Sequence, residues 1–309
     1  MPRVNRGEKN DFTHSYIRGK STACPPNRPK PPTTEPITTI LKLEFAEGAS
    51  DACFNRSDGH EAINEQDPCG QAFRTFTRAM EAEPGYDFWM WARAEEEPVD
   101  VLYIFIGWER HTSTAFRSLE SLQGVEPASP LSALKPYIKT TPQLWNIPFN
   151  GPLHQLGSPS GQEKYIRTSE EKSIELISWT IPAHLDPTYH TSYAEQFEYL
   201  GFVFSRFDQI IGCYGPGDLL NCKRGWVAGC EDTFRPSKEE PSEKTHLFML
   251  FWKGKEEEQK HKDPNERTFS PDMCKEDDDF WERWFLDLQR DWEMRGLKTS
   301  SVHLKFYHE

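Results

Sequence analysis

The sequence of 309 residues lacks the long apolar runs and the cysteine patterns that assign many proteins to a class. No run approaches the roughly 20 apolar residues of a membrane-spanning helix, and residues 1–6 contain no apolar segment typical of a secretory signal. The seven cysteines are odd in number, widely spaced and without a CxxC pair, so neither a disulfide framework nor a zinc module is indicated. We expect a cytoplasmic protein with reduced thiols, no metal site and no membrane insertion.

Nucleotide-binding and hydrolase motifs are also missing. Residues 212–217, GCYGPG, are rich in glycine, but they follow a predicted helix, whereas a dinucleotide-binding loop leads from a strand into a helix. No P-loop, kinase, GxSxG or HExxH pattern occurs. The formal net charge of −13 argues against a nucleic-acid partner, because nucleic-acid binding rewards clustered positive charge.

Aromatic residues are abundant, with 20 Phe and 10 Trp in a chain that is 36% hydrophobic. Buried aromatics supply large apolar areas, and a wholly disordered chain would not carry so many. Residues 1–35 differ from the rest because they are polar and contain a proline cluster at 25–32. We predict a flexible, proline-rich arm for this segment.

The remaining chain contains the same predicted order of elements, β-α-β-β-α-β, twice. In the first copy, residues 36–150, alternation and capping signals predict helices beginning at 67 and 112 and strands at 37–45, 86–93, 101–108 and 144–149. In the second copy, residues 173–309, they predict helices at 192–211 and 277–295 and strands at 173–181, 224–229, 245–253 and 300–307. Residues 46–66 read as irregular, 151–172 as a linker and 254–276 as a charged insertion.

Each such unit is a split βαβ motif that covers one face of its sheet with helices and leaves the other face bare. The second copy in the same chain is the simplest partner for a bare apolar face. We therefore predict an α+β fold in which two tandem ferredoxin-like repeats pack sheet to sheet as an intrachain dimeric α/β barrel.

Residues 103–116, YIFIGWERHTSTAF, resemble the strand-to-helix junction of the antibiotic-biosynthesis-monooxygenase-like domains, in particular the fungal-type members. These domains belong to the dimeric α/β barrel superfamily. Gly107-Trp108-Glu109 matches the family pattern, whereas His111 lies closer to Trp108 than that pattern expects. In the second copy, residues 248–252, FMLFW, followed by a charged stretch to His261, resemble the motif more weakly.

This resemblance implies a closed cavity between the sheets for a small hydrophobic molecule. It also implies a cofactor-independent enzyme of secondary metabolism, acting as a monomer or homodimer on an aromatic or polycyclic natural-product-like substrate. The reaction would be an acid/base-assisted cyclisation, isomerisation or oxygenation. The superfamily also contains haem enzymes such as tandem aldoxime dehydratases, so a haem-dependent dehydratase-like enzyme with His111, His261 or His303 as axial ligand is one alternative. A non-catalytic module that binds a small ligand is another.

The last predicted strand supplies the first candidate site. Val302, Leu304 and Phe306 alternate along it with His303, Lys305 and Tyr307. We expect the first set to face the helices and the second set to face the barrel interior. Because the first and last strands are neighbours in this fold, we expect Glu175 to lie near His303, where each group shifts the pKa of the other and the two act as acid and base. The alternative is a solvated strand end.

His111 is the third candidate catalytic residue, since it opens a predicted helix beside Trp108; the alternative is that it caps the helix or faces solvent. Aromatic walls with few polar groups suit a flat apolar ligand. The candidate substrate-binding residues are Trp89, Trp91, Trp108, Trp145, Trp179, Trp252, Lys305 and Tyr307.

Overall fold

The structure is a computed structural model that describes residues 37–57, 60–109, 130–149, 173–182, 219–227, 244–252, 254–262, 290 and 292–307. The strands are β1 Ile37–Glu44, β2 Phe54–Ser57, β3 His60–Ile63, β4 Tyr86–Ala94, β5 Val101–Trp108, β6 Gln143–Ile147, β7 Ser173–Ile181, β8 Leu219–Trp226, β9 Lys244–Trp252 and β10 Lys298–Tyr307. The helices are α1 Ala49–Cys53, α2 Pro68–Glu81 and α3 Lys255–Lys262, with 3-10 turns at Pro130–Ala133 and Lys135–Tyr137. Residues 292–294 are also helical.

Eight strands form one antiparallel sheet in the order β6-β1-β5-β4-β10-β7-β9-β8. The first half of the sheet consists of β1, β4, β5 and β6, and the second half of β7, β8, β9 and β10. When the strands are numbered in chain order within each half, both halves have the order 4-1-3-2. Strands β4 and β10 pair from Ala94 with Leu304 to Trp91 with Tyr307, and this pairing joins the halves edge to edge. We expected the sheets of the two repeats to pack on each other, and the structure differs in that the backbone hydrogen bonds run through both halves in one sheet.

The sheet also curls, since side chains from both halves share one apolar cluster, called here the inner cluster. Gly225 on β8, at one edge of the sheet, lies against the end of β6 at the other edge. A Cβ on this glycine would lie 2.6 Å from Cγ2 of Ile147 and 2.7 Å from the carbonyl oxygen of Pro148. The fold is therefore α+β with a curled antiparallel sheet, and the inner cluster consists of Ile40, Ala92, Ala94, Val101, Tyr103, Phe105, Ile147, Phe149, Ile174, Leu176, Leu247, Met249, Phe251, Leu304 and Phe306.

The opposite, outer face of the first half packs on helix α2. Oδ1 of Asp67 accepts a hydrogen bond from the backbone N–H of Cys69 at 2.7 Å, and Pro68 occupies the first turn, where it does not need a backbone N–H. Phe73, Phe76 and Met80 lie on the buried side of the helix, as their spacing predicted. No helix among the described residues is long and apolar enough to cross a membrane.

Two segments differ from the sequence prediction. The stretch from 46 to 66 was expected to be irregular, but it contains helix α1 and the β2–β3 hairpin. The charged insertion after β9 begins with helix α3, whose sequence KEEEQKHK has no apolar stripe. Elements of four or five residues are too short to show a hydrophobic period, and a helix built only of polar residues has none.

The predicted helices that begin at 112 and 192, the N-terminal arm and the linker lie outside the described residues. In the last predicted helix, residues 292–294 are helical and Trp292 is buried. Strand β8 begins earlier than predicted and runs from Leu219 to Trp226.

The faces of β10 are the reverse of the prediction. Leu304 and Phe306 belong to the inner cluster, so His303, Lys305 and Tyr307 lie on the outer face. Alternation shows that a strand has two faces, but it does not show which one faces the helices. Here the more apolar set lies inside because the curled sheet covers that face from both halves.

Candidate active site

Glu175 and His303 are direct neighbours across the β7–β10 pair, as the sequence predicted. Their position in the molecule differs from the prediction. Ile174 and Leu176 on either side of Glu175 belong to the inner cluster, so Glu175 and His303 both lie on the outer face and not in the barrel interior.

The imidazole of His303 is held between two carboxylates. Its Nδ1 contacts Oε1 of Glu96, and its backbone N–H donates to Oε2 of the same residue at 2.8 Å. Its Nε2 lies 2.7 Å from Oε1 of Glu258. An imidazole whose two nitrogens both face carboxylates is held as the imidazolium, which donates from both.

The electrostatics follow this geometry. The hydrogen bond with Glu258 raises the pKa of His303 to about 9, with partial burial opposing the shift and Glu96 adding to it. Burial would raise the pKa of Glu96, but its hydrogen bonds with His303 outweigh that effect and hold the pKa below the ordinary value. His303 is therefore protonated at neutral pH and is a proton donor in its resting state.

Helix α3 supplies the buried side of this site. Glu258 is 4% exposed, whereas Lys255, Glu256 and Gln259 of the same helix are exposed, and its Oε2 accepts a hydrogen bond from Oγ of Ser173 at 2.6 Å. At the start of the helix, Lys255 forms an ion pair with Glu95 in the turn between β4 and β5. The helix is thus connected to β7, β10 and that turn through side chains of the site.

Glu175 is the second buried carboxylate, with 2% exposure. Its Oε1 accepts a hydrogen bond from the hydroxyl of Ser301, and its Oε2 accepts one from Nε1 of Trp252 at 3.4 Å. Both donors lie on strands that border β7, so the sheet itself fixes the orientation of this carboxylate.

Glu175, Glu258 and His303 are also residue types that bind divalent cations. One possible ligand atom from each lies within 4.8 Å of the others. Because Nε2 of His303 faces Glu258 directly, a cation here would have to replace the proton that these two groups share.

Most of the predicted aromatic site residues lie on the outer face, and several belong to the core. Trp91, Trp108 and Trp179 are each less than 2% exposed, and Trp252 is 3% exposed, so these four candidate substrate-binding residues are packed among other side chains. Trp145 packs against the inner cluster. His111 lies outside the described residues.

A row of half-buried side chains, Lys305, Tyr307 and Trp89, lies beside the acid–base groups. Lys305 and Tyr307 follow His303 on the same face of β10, and Nζ of Lys305 lies 5.7 Å from the centre of the Tyr307 ring. Tyr307 stacks on Trp91 with ring centres 6.2 Å apart, and Trp91 stacks on the half-buried Trp89 at 5.3 Å. Four of the predicted residues, His303, Lys305, Tyr307 and Trp89, therefore present accessible surface on the outer face.

The sequence analysis missed Glu96 and Glu258. Glu96 lies in the acidic turn before Pro98, and Glu258 is one of three consecutive glutamates. The composition of neither segment distinguishes the carboxylate that contacts His303 from the other acidic residues around it. Only the positions of α3 and of the β4–β5 turn against β10 single them out.

No family model and no curated protein sequence matches this chain. Three solved structures are similar to it at low identity. A candidate monooxygenase from Fusobacterium nucleatum is 8% identical with a TM-score of 0.43 over 89% of this chain and 94% of that one. An anthrone oxidase-like protein is 11% identical with a TM-score of 0.40 over 89% and 92%, and a candidate chlorite dismutase is 11% identical with 0.34 over 71% and 79%. Because these TM-scores are all below 0.5, we infer the function from the chain's own residues.

Proposed function

We propose that this chain is an enzyme that moves protons on a small, largely apolar organic molecule, with His303 and its carboxylates as the acid–base centre. The observation that carries the proposal is the imidazole of His303 between Glu96 and Glu258, directly across the strand pair from Glu175. A partly exposed titratable group whose pKa is shifted by specific charged partners is a frequent feature of reactive centres.

The roles follow from exposure. Glu258 is buried, whereas the side chain of Glu96 is 46% exposed, so Nδ1 is the nitrogen on the solvent side of the ring. A substrate oxygen that replaces Glu96 would receive the proton from Nδ1, while Glu258 keeps the imidazole oriented and stabilises its charge. Glu175 is fixed by hydrogen bonds from Ser301 and Trp252. We assign it as the base that removes a proton from the substrate.

The substrate class follows from the row beside His303. Tyr307 and Trp89 offer aromatic surface, and the Lys305 ammonium can polarise a carbonyl or phenol oxygen. Together with the resemblance of residues 103–116, this favours a flat aromatic or polycyclic natural-product-like ketone or phenol. Proton transfer of this kind supports cyclisation, isomerisation or cofactor-independent oxygenation without a nucleotide or flavin.

For the fold, we propose that the two halves are ferredoxin-like repeats that close as an intrachain dimeric α/β barrel. The strand order 4-1-3-2 in both halves, the shared inner cluster and the approach of β8 to the end of β6 support this. The haem alternative is less favoured for His303, because both of its ring nitrogens face carboxylates.

Hydrogen–deuterium exchange tests the proposal without knowledge of the natural product. A panel of small cyclic aromatic ketones is incubated with the protein in D₂O, and loss of the carbon-bound protons next to the carbonyl is followed by NMR. We expect catalysed exchange that falls about 10²–10⁴-fold in His303→Asn and in Glu175→Gln, as for loss of a general acid or base.

His60→Asn is the matched control, since this histidine is exposed on the separate β2–β3 hairpin, and it should exchange at the wild-type rate. Circular dichroism verifies that each variant is folded. Equal exchange by wild type and both site variants would contradict the assignment. Binding of the ketones without any exchange above buffer would identify a ligand-binding module instead.

A further inference from the structure

Two buried thiols lie together on the outer side of the first half, away from the acid–base centre. Cys53 is the last residue of α1, and Cys69 is in the first turn of α2. They are 0% and 1% exposed, belong to the same apolar cluster and lie close enough for each side chain to shift the pKa of the other. The sequence analysis treated all cysteines as isolated reduced thiols, and only the fold brings these two together.

The backbone holds this arrangement from both sides. The carbonyl of Cys53 accepts a hydrogen bond from the N–H of Asn64 at 2.8 Å, and Asp67 caps the N–H of Cys69. A Cβ added to Gly70 would lie 1.9 Å from the carbonyl oxygen of Asn64 and 3.2 Å from that of Cys53. The first turn of α2 therefore rests directly on the end of α1, and this holds the backbones of Cys53 and Cys69 close to each other.

The two thiols differ chemically. Cys69 lies at a helix N-terminus, where the helix dipole favours a thiolate. The interaction between the two side chains lowers the pKa of Cys69 and raises that of Cys53, and burial raises the pKa of Cys53 further. Cys69 is thus the nucleophile of the pair, with Cys53 positioned as the second thiol.

We propose that Cys53 and Cys69 form a redox-active dithiol that a small hydroperoxide converts to an intramolecular disulfide. The Cys69 thiolate attacks one peroxide oxygen, the O–O bond breaks, and Cys69 sulfenic acid and hydroxide form. The sulfur of Cys53 then attacks the sulfur of Cys69, the S–O bond breaks, and water leaves with the Cys53 proton. The two thiols lose two electrons, and hydrogen peroxide is reduced to water.

Burial selects the oxidant. Hydrogen peroxide is close to water in size, whereas a glutathione disulfide would have to open the packing around both residues. Oxidation would close a loop from α1 to α2 that contains the β2–β3 hairpin. That hairpin carries Glu61, whose carboxylate receives hydrogen bonds from the buried guanidinium of Arg93 on β4. The disulfide would therefore fix α1, the hairpin and α2 to one another.

Peptide mapping of the full-length protein tests the proposal. The protein is treated with hydrogen peroxide or with dithiothreitol, unfolded, blocked with N-ethylmaleimide and digested without reduction. We expect a peptide pair cross-linked through Cys53 and Cys69, lighter by two hydrogens than the two reduced peptides and absent after dithiothreitol. We also expect oxidation to raise the thermal midpoint by about 5 °C, since the closed loop restricts the unfolded chain.

The two single variants separate the roles of the thiols. In Cys53→Ser, the sulfenic acid of Cys69 should persist and be trapped by dimedone, whereas Cys69→Ser should leave Cys53 unmodified. Cys274→Ser is the matched control and should retain the cross-link. If the wild-type protein shows both residues blocked by N-ethylmaleimide after peroxide treatment, or shows them cross-linked only to other cysteines, the proposal is wrong. This readout does not require either variant to fold.

Discussion

His303 shows at the scale of one residue how placement on a strand decides the state of a side chain. The sequence identified it and Glu175 as neighbours, because the order of strands brings the first and last strands of a half together. It could not identify Glu96 and Glu258, the two groups that set the charge of the imidazole. They come from a turn and a helix whose positions follow from packing and not from any local pattern.

The pKa of His303 gives a prediction at this scale. In Glu258→Gln, the strongest hydrogen bond to the imidazolium becomes a neutral one, so the pKa should fall from about 9 toward the ordinary value of 6.5. An NMR titration of the ring nitrogens and protons measures it. Glu256→Gln changes an exposed residue of the same helix and should leave the pKa in place. A pKa that stays near 9 in Glu258→Gln would show that Glu96 alone sets it.

At the scale of elements, the sequence predicted the strands and helices that are long enough to show a regular spacing of apolar residues. Strands β5 and β7 match the sequence prediction at both ends. Helix α2 was predicted from its N-cap residue and from the spacing of its apolar residues. Helix α3 was missed because its sequence contains no apolar residue, and Glu258, which is buried, is a carboxylate. The faces of β10 were reversed because side chains of both halves cover the inner face of the curled sheet, a property of the assembled sheet that one strand does not reveal.

Trp108 takes part in a chain of hydrogen bonds across three strands, and this chain gives a prediction about the stability of the core. Its Nε1 donates to Oγ1 of Thr39 at 2.9 Å, and that hydroxyl donates to Oδ1 of Asn146 at 2.7 Å, which links β5, β1 and β6. Thr39→Val keeps the shape but leaves the indole N–H buried without its partner. We expect a loss of about 1–3 kcal/mol in the free energy of unfolding, measured with urea.

Thr39→Ser is the control for this chain, because it removes a methyl group and keeps the hydroxyl. It should cost less than Thr39→Val. If the order of the two variants is reversed, packing of the methyl group and not the hydrogen bond governs this position.

At the scale of the whole molecule, the two faces of the sheet differ, since one is apolar and the other carries the polar groups around His303. The inner face carries the apolar cluster to which both halves contribute, and it holds the halves together. The outer face carries the polar chemistry, where β10 lies between the two halves and brings His303 next to Glu175 of β7. The site therefore depends on the junction of the halves, which explains why a motif within one half did not reveal it.

The same junction makes the stability of the molecule depend on pH. His303 faces Glu96 from the β4–β5 turn, Glu258 from α3 and Glu175 from β7. Its pKa is higher in the folded protein, about 9, than the 6.5 of an unfolded histidine. The folded state therefore binds the proton more tightly, and this contribution is complete below pH 6.5 and is lost as the pH rises through 9.

Urea unfolding at pH 6 and at pH 9.5 measures this contribution. For the wild type we expect stability to fall by up to about 3 kcal/mol between these values, since each unit of pKa shift corresponds to about 1.4 kcal/mol. His303→Gln cannot bind the proton, so its stability should be lower at pH 6 and much less dependent on pH over the same range. A wild-type protein that is equally stable at both values would show that the imidazole does not hold its proton between the two halves.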